Sequence, residues 1–249
     1  MSFLILITLL LPAGVFSSLS SPPKPSERPP NFIVILADDL GYGDLGCYGH
    51  PTIRTPQLDR LAYEGQKWTQ FYTGDSMCTP SRAALLTGRL AIRSGMTANK
   101  PRVLLEDSQG GLPVTEMTIA ESLQANGYAT ACIGKWHLGH LPQFMPRRSG
   151  FDYYYGLLNT NDSYRTPSAP QMRASFENPR LEYWNLPLFR NEEIIERPTD
   201  QHTLTRRYTQ EAIRFIEKSA DQPFFLYLAY AMPHLPLFAS ADFEGKSPR

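Results

Sequence analysis

Four short stretches carry residues whose types and spacing could do chemistry. Asp38 and Asp39 are adjacent carboxylates in NFIVILADDLGYGDLGCYGH. Side by side they repel each other unless a cation joins them, and hard oxygen ligands suit calcium or magnesium, whereas softer metals would draw more His or Cys. Such pairs also commonly do no more than cap a helix or sit in water. Cys78 opens CTPSRAALLTG, in which Pro80 suits a first helical turn and Gly88 the position past the last. A helix of about two turns is therefore expected over residues 78–88. At its mouth Cys78 meets unpaired backbone N–H groups and the positive end of the helix dipole, a ready anion site, with Arg82 following. A single cysteine is nevertheless more often a small buried hydrophobe than a nucleophile. Lys135 and His137 stand in GKWHLGH, and His234 stands in MPHLPL. In isolation the lysine reads as a solvated charge and each histidine as a hydrogen-bonded structural residue.

The elements that must position these groups are legible in outline. Residues 32–37 form a continuous apolar, β-branched run, the pattern of a strand covered on both faces, with Asp38 and Asp39 at its end. Gly41, Gly43 and Gly46 spell GxGxxG, but that fingerprint needs the glycines to open a helix directly, and here Pro51 and loop formers intervene. A dinucleotide site is excluded, and the glycines are expected to fold the backbone around whatever the aspartates hold. Residues 55–65 read as a helix, with Thr55 as N-cap, Pro56 first, an apolar face of Leu58, Leu61 and Ala62, and Gly65 as the stop. Residues 67–73 alternate well enough for a second strand that delivers the chain to Cys78. Residues 89–117 are loop-rich, without an assigned role. Thr118 and Glu121 make a capping box for a helix closed by Gly127, and a strand over 128–133 leads into Lys135 and His137.

Beyond Gly150 the chain is rich in Tyr, Asn and Pro as far as Leu186. It reads either as loops over a site that select a substrate or as a surface excursion without a role. Asn161 to Ser163 fits a glycosylation sequon. Residues 199–220 form the clearest helix, with Leu204, Tyr208, Ala212, Phe215 and Ile216 on one face, and a strand over 223–231 runs into His234. Strands alternating with helices predict an α/β fold with a mostly parallel central sheet flanked by helices. In such sheets ligands bind beyond the carboxyl ends of the strands. Asp38, Asp39, Cys78, Lys135, His137 and His234 then converge on one crevice if those strands are parallel neighbours.

Composition bounds the class. The 249 residues are 42% hydrophobic and 19% charged, with 24 basic and 24 acidic side chains. That balance excludes a disordered chain and gives no bulk electrostatic reason to bind nucleic acid. Residues 1–21 have the apolar core and small residues of a secretory signal peptide, without a basic start, and are too short for a membrane span. A proline-rich linker at 22–30 follows, then a single unit at 31–249. Export is expected, whether the destination is secreted, periplasmic or lysosomal, with no membrane span in the mature chain. Three cysteines do not make a disulfide framework, and the odd count leaves at least one thiol unpaired, most naturally Cys78.

CTPSRAALLTGR resembles the sulfatase signature, a CxPxR core whose cysteine is oxidised after synthesis to formylglycine, and Cys78, Pro80 and Arg82 match its fixed positions. DDLGYGDLGCYG is similar to the opening metal motif of arylsulfatases, in which paired aspartates bind calcium. GKWHLG resembles the second motif, whose Lys and His line the sulfate pocket. Thr160 lies where the family often places a hydroxyl near the sulfate. The resemblance runs from Asn31 to the end and implies an alkaline-phosphatase-like fold and hydrolysis of a sulfate ester, on a glycan or an aryl group. It implies one calcium held by Asp38, Asp39 and the modified Cys78, and a formylglycine-generating enzyme as maturation partner. Arg82 would hold those ligands, Lys135 would stabilise charge, His234 would bind sulfate and assist the leaving alcohol, and His137 would take the proton that lets sulfate depart.

One departure is that the family carries a further Asp-Asn metal pair and a Lys in a later segment, and no Asp-Asn dipeptide occurs after His234. The expectation is therefore an N-terminal fragment of a sulfatase, lacking half its calcium ligands and inactive as given. The alternatives are a phosphoester or phosphonate hydrolase of the same superfamily and a non-catalytic protein that binds sulfated glycans.

Overall fold

The computed structural model describes residues 28–97 and 102–246. The expected signal peptide and most of the linker lie outside the described residues. A six-stranded sheet has the order β1-β6-β2-β3-β4-β5. Its strands are β1 (Phe32–Ala37), β2 (Ala129–Lys135), β3 (Tyr153–Leu157), β4 (Leu188–Arg190), β5 (Glu193–Glu196) and β6 (Phe224–Tyr230). The first four in that order are mutually parallel, and the short β4 and β5 are antiparallel additions. The expected α/β sheet is thus present, mixed at one edge.

Alternate residues of the central strands feed two separate cores, the signature of a parallel sheet covered on both faces. On one face α2 (Cys78–Thr87) and α3 (Ile119–Ala125) bring Ala83, Leu86 and Ala120 against Cys132, Tyr154, Phe225 and Tyr227. On the other α5 (Leu204–Lys218) packs Leu204, Tyr208 and Ala212 against Ala131, Ile133, Tyr155, Leu226 and Leu228. Glu211 also lies on the buried side of α5, where Tyr153 donates to it and Arg190 and Arg214 neutralise it. The Thr118 capping box forms in full. Thr118 Oγ1 accepts from the Glu121 amide at 3.1 Å and Glu121 Oε2 accepts from the Thr118 amide at 2.8 Å.

Four local expectations are corrected. Residues 67–73 are not a strand but an exposed extended segment. Its backbone is held by side chains: Tyr42 OH donates to the Phe71 carbonyl at 2.6 Å and Tyr48 OH to the Trp68 carbonyl at 2.8 Å. Alternation alone cannot make a strand where no neighbour offers a ladder. Second, among the described residues β1 is not covered on both faces: Val34 and Leu36 pack on the α2 side, while Ile33 and Ile35 are 46% and 58% exposed. Third, the apolar face read for α1 (Pro56–Glu64) is largely open, with Leu61 63% exposed. Thr55 occupies its N-cap without capping it, because the hydroxyl donates to Asp59 at 2.8 Å and accepts from the Gly46 amide at 2.9 Å. Fourth, the Tyr-rich stretch after Gly150 is not all loop: it supplies β3, a strand inside the sheet, and the short helix α4 (Met172–Glu177).

Candidate active site

Parallel strands share a direction, so the C-terminal ends of β1, β2, β3 and β6 lie along one rim of the sheet. Asp38 and Asp39 follow β1, Lys135 ends β2 with His137 two residues on, Thr160 follows β3, and His234 lies four residues past β6. Cys78 comes by another route, as the first residue of α2 after the loop that replaces the expected strand. Gly88 closes that helix in the left-handed conformation at φ 65°, with its amide on the Ala84 carbonyl at 2.9 Å.

Asp38 is the hub. Arg82 Nη2 donates to its Oδ1 at 3.0 Å and Lys135 Nζ to its Oδ2 at 2.5 Å. All three side chains are buried. Lys135 Nζ also donates to Thr160 Oγ1 at 3.0 Å. Arg82 Nη1 donates to the Lys135 carbonyl at 2.6 Å and to Tyr227 OH at 3.2 Å. Burial opposes ionisation of Asp38, but the charges of Lys135 and Arg82 and the lysine hydrogen bond outweigh it and hold the carboxyl below its ordinary value. Two cations facing one carboxylate leave the buried cluster with an excess of positive charge, an environment that favours an anion. The position of Lys135 depends on Gly134, whose φ of 113° brings it so close to β6 that a Cβ would lie 1.8 Å from the Ala229 carbonyl oxygen.

His137 is fully buried beside this cluster and adopts a left-handed backbone at φ 59°. Its Nε2 lies 2.7 Å from the Leu104 carbonyl. A carbonyl only accepts, so Nε2 carries the proton and Nδ1 the lone pair, and Nδ1 has no partner among the described residues. Burial first, and then the charge of Lys135, lower the pKa of His137 well below the ordinary imidazole value. The ring is therefore a neutral base with its acceptor nitrogen uncommitted. Thr79 ties it to the mouth of α2, donating to the His137 carbonyl at 3.1 Å and accepting from the Leu104 amide at 3.1 Å.

The Cys78 thiol is raised above its ordinary pKa, mainly by burial and further by the charge of Asp38, against the opposing charges of Lys135 and Arg82. Near neutral pH it is a thiol, a poor nucleophile as it stands. Asp39 has a left-handed backbone at φ 63° and a side chain 68% exposed. His234 Nε2 lies 3.8 Å from Asp39 Oδ2, and His234 Nδ1 is 2.5 Å from the Leu235 carbonyl. The strained backbone turns the Asp39 carboxylate outward beside Asp38. Adjacent hard oxygens of this kind fit one side of a calcium site. They fall short of the six to eight oxygens calcium takes. Among the described residues no group of three or more His, Cys, Asp and Glu is arranged to hold a metal.

The structure thus joins Asp38, Arg82, Lys135 and Thr160 by direct contact, pairs Asp39 with His234, and links Cys78 to His137 through Thr79. Thr79, Tyr227 and the Leu104 carbonyl went unnoticed in the sequence. No local pattern marks them, because each acts through a partner distant in the chain. The sequon also changes meaning: Asn161 is fully buried and its amide is hydrogen-bonded inside the protein, so no glycan fits there in the folded state. Among the described residues no helix is long and apolar enough to cross a membrane.

Known proteins are similar to this chain in sequence and in fold. Mouse arylsulfatase G is 43% identical over 223 residues, covering 84% of this chain and 42% of its own length. Human N-acetylgalactosamine-6-sulfatase is 40% identical over 239 residues, covering 90% of this chain and 43% of its own. The crystal structure of Ps i-CgsB in complex with k-i-k-neocarrahexaose superposes with a TM-score of 0.69 at 37% identity, covering 83% of this chain and 46% of that one. The chain therefore spans less than half the length of these relatives. The Sulfatase family model matches residues 30–249, and with that match this chain belongs to the sulfatase family.

Proposed function

We propose that residues 31–249 form the N-terminal part of a sulfatase catalytic domain that hydrolyses sulfate esters, with Cys78 converted to formylglycine. The observation that carries this reading is the buried Lys135–Asp38–Arg82 cluster, cationic in sum, beside an imidazole whose Nδ1 lone pair is uncommitted. Oxidised to formylglycine, position 78 would offer a hydrated aldehyde with one oxygen to attack sulfur and a second hydroxyl through which sulfate can be expelled. A thiol lacks that second hydroxyl, and the raised pKa of Cys78 also speaks against direct attack by sulfur.

The chain's own residues then divide the work. Lys135 and Thr160 donate to the sulfate oxygens, and the α2 N-terminus adds backbone N–H groups and a favourable dipole. Arg82 fixes Asp38 and, through the Lys135 carbonyl, the end of β2. His234, held at the rim, protonates the departing alcohol. His137 Nδ1 takes the proton of the residue-78 hydroxyl, a role that its neutral tautomer permits. Asp38, Asp39 and the residue-78 oxygen would hold part of a calcium site, and calcium bound there would neutralise negative charge on the sulfate.

Asp38 and Asp39 supply part of the oxygens that calcium takes, and this chain spans less than half the length of the relatives it matches. A sulfated glycan is the substrate class of choice, supported by the carrageenan oligosaccharide bound in the structural relative and by the N-acetylgalactosamine-6-sulfatase relative. Export, with residues 1–21 as signal and 22–30 as linker, and modification by a formylglycine-generating enzyme complete the proposal.

The first experiment is the mass of the peptide containing residue 78 from the native host, with sulfate release measured on aryl and glycan sulfates. An aldehyde at that position together with sulfate release supports the reading. An intact thiol, or faster turnover of phosphate esters than of sulfate esters, overturns it.

A further inference from the structure

Asn161 follows Thr160 in the turn after β3 and is completely buried. Its Nδ2 donates to the Pro236 carbonyl at 3.2 Å and reaches the His234 carbonyl at 3.4 Å. Its main-chain carbonyl accepts from Gln201 Nε2 at 3.1 Å, and Gln201 is buried too. His202, in the same 3-10 turn, contacts the Ala239 carbonyl through Nδ1 at 2.8 Å. Three segments distant in sequence, the turn after β3, the turn Gln201–Thr203 and the loop after β6, therefore meet at Asn161, the loop through its side-chain amide and the Gln201 turn through its main-chain carbonyl.

That amide has an effect a hydrocarbon of the same size could not have. An NH2 group carries two protons, and here they face two carbonyls that bracket Leu235, so the peptide bearing His234 is held from both sides. A buried carbonyl that loses its donor costs free energy, so the loop is held in the conformation that keeps both bonds. The adjacent Thr160 accepts from Lys135 Nζ at 3.0 Å. The turn is thus anchored at one residue to the cationic cluster and at the next to the His234 loop.

We infer that Asn161 is a positioning residue for His234, setting the imidazole at the height above Lys135 and Thr160 where the leaving alcohol departs. The inference rests on the role proposed for His234. It gives the sequon residue a function in geometry and leaves it unglycosylated.

In protein that releases sulfate, the test compares wild type, Asn161→Ala and His234→Ala on 4-nitrophenyl sulfate and on a sugar sulfate, whose alcohol needs a proton to leave. Loss of proton assistance falls mainly on the poorer leaving group. Asn161→Ala is expected to lose roughly tenfold more kcat on the sugar sulfate than on the nitrophenyl ester, with little change in KM, following His234→Ala in pattern. Equal loss on both substrates in Asn161→Ala, with His234→Ala still discriminating, overturns the positioning role alone. Equal loss in His234→Ala overturns the role of His234 and the inference with it.

Two further measurements add to that comparison, and the second needs no activity. Gln201→Leu, which releases the Asn161 carbonyl, should show the same discrimination to a smaller degree if Asn161→Ala does not fold. On the 249-residue chain itself, the His234 ring signal, assigned by its disappearance in His234→Gln, should shift in Asn161→Ala while that of His50 stays. An unmoved His234 signal overturns the inference without any assay of activity.

Discussion

Strands β1 and β6 are hydrogen-bonded neighbours, both wholly apolar or aromatic, FIVILA beside FFLYLAY, and they end in different environments. In β6 every residue but the last is buried, because β1 and β2 flank it, α5 covers one face and the α2 side covers the other. In β1 only the α2 face is met, while Ile33 and Ile35, like Leu58 and Leu61 of α1, stay open among the described residues. An apolar run states what a segment could bury. Its neighbours decide what it does bury. The same division runs through the site: Asp38, Lys135, Arg82 and His137 sit in the covered region, whereas Asp39, one residue from Asp38, faces outward.

That contrast can be broken or sharpened by experiment. The largest effect belongs to Cys78→Ala in protein that releases sulfate, which is expected to lose about a thousandfold or more in kcat with an unchanged circular dichroism spectrum. Wild-type turnover in that variant would remove residue 78 from the chemistry. Next is Lys135→Met, which takes one cation from a buried carboxylate. It should cost roughly 3–5 kcal/mol, read as a lowered urea midpoint. A cost near zero would mean that water reaches Asp38 and that the covered region is less dry than its burial implies.

A smaller effect follows pH. His137 is held neutral in the folded state while the unfolded chain takes up a proton near its ordinary value of 6.5. Its contribution to stability is therefore complete above that value and lost as pH falls from there toward the depressed folded pKa. Asp38, also depressed, contributes above its unfolded value of 3.8, and that contribution is lost as pH falls through its folded pKa. Urea midpoints followed from about pH 8 to about pH 5 should decline with acidification, and His137→Gln should flatten the decline. An equal slope in that variant would assign the effect elsewhere.

The smallest effect is expected on the open face. Ile35→Thr should change the stability of the 249-residue chain by no more than about 0.5 kcal/mol and reduce its binding of a hydrophobic dye. A cost of roughly 2 kcal/mol would mean that something covers β1 in solution, and sedimentation would then reveal self-association.

The sequence by itself determined the elements whose signals are local. β1, β2, β6, α2 and α5 follow from apolar runs, periodicity and caps, and the Thr118–Glu121 box formed as read because its partners lie within one turn. It also placed Asp38, Lys135, His137 and His234 after the ends of strands, since a polar residue closing an apolar run is visible along the chain. Tertiary structure decided the rest. Residues 67–73 have the alternation of a strand but no neighbour to pair with, whereas YYYGL, among Asn and Pro, becomes β3 because β2 lies alongside it. The bonds from Arg82 and Lys135 to Asp38, the His137 tautomer set by Leu104 and the burial of Asn161 each join residues far apart in sequence. Periodicity is a property of a segment, but a hydrogen-bond partner and a covering surface are properties of whatever folding brings beside it.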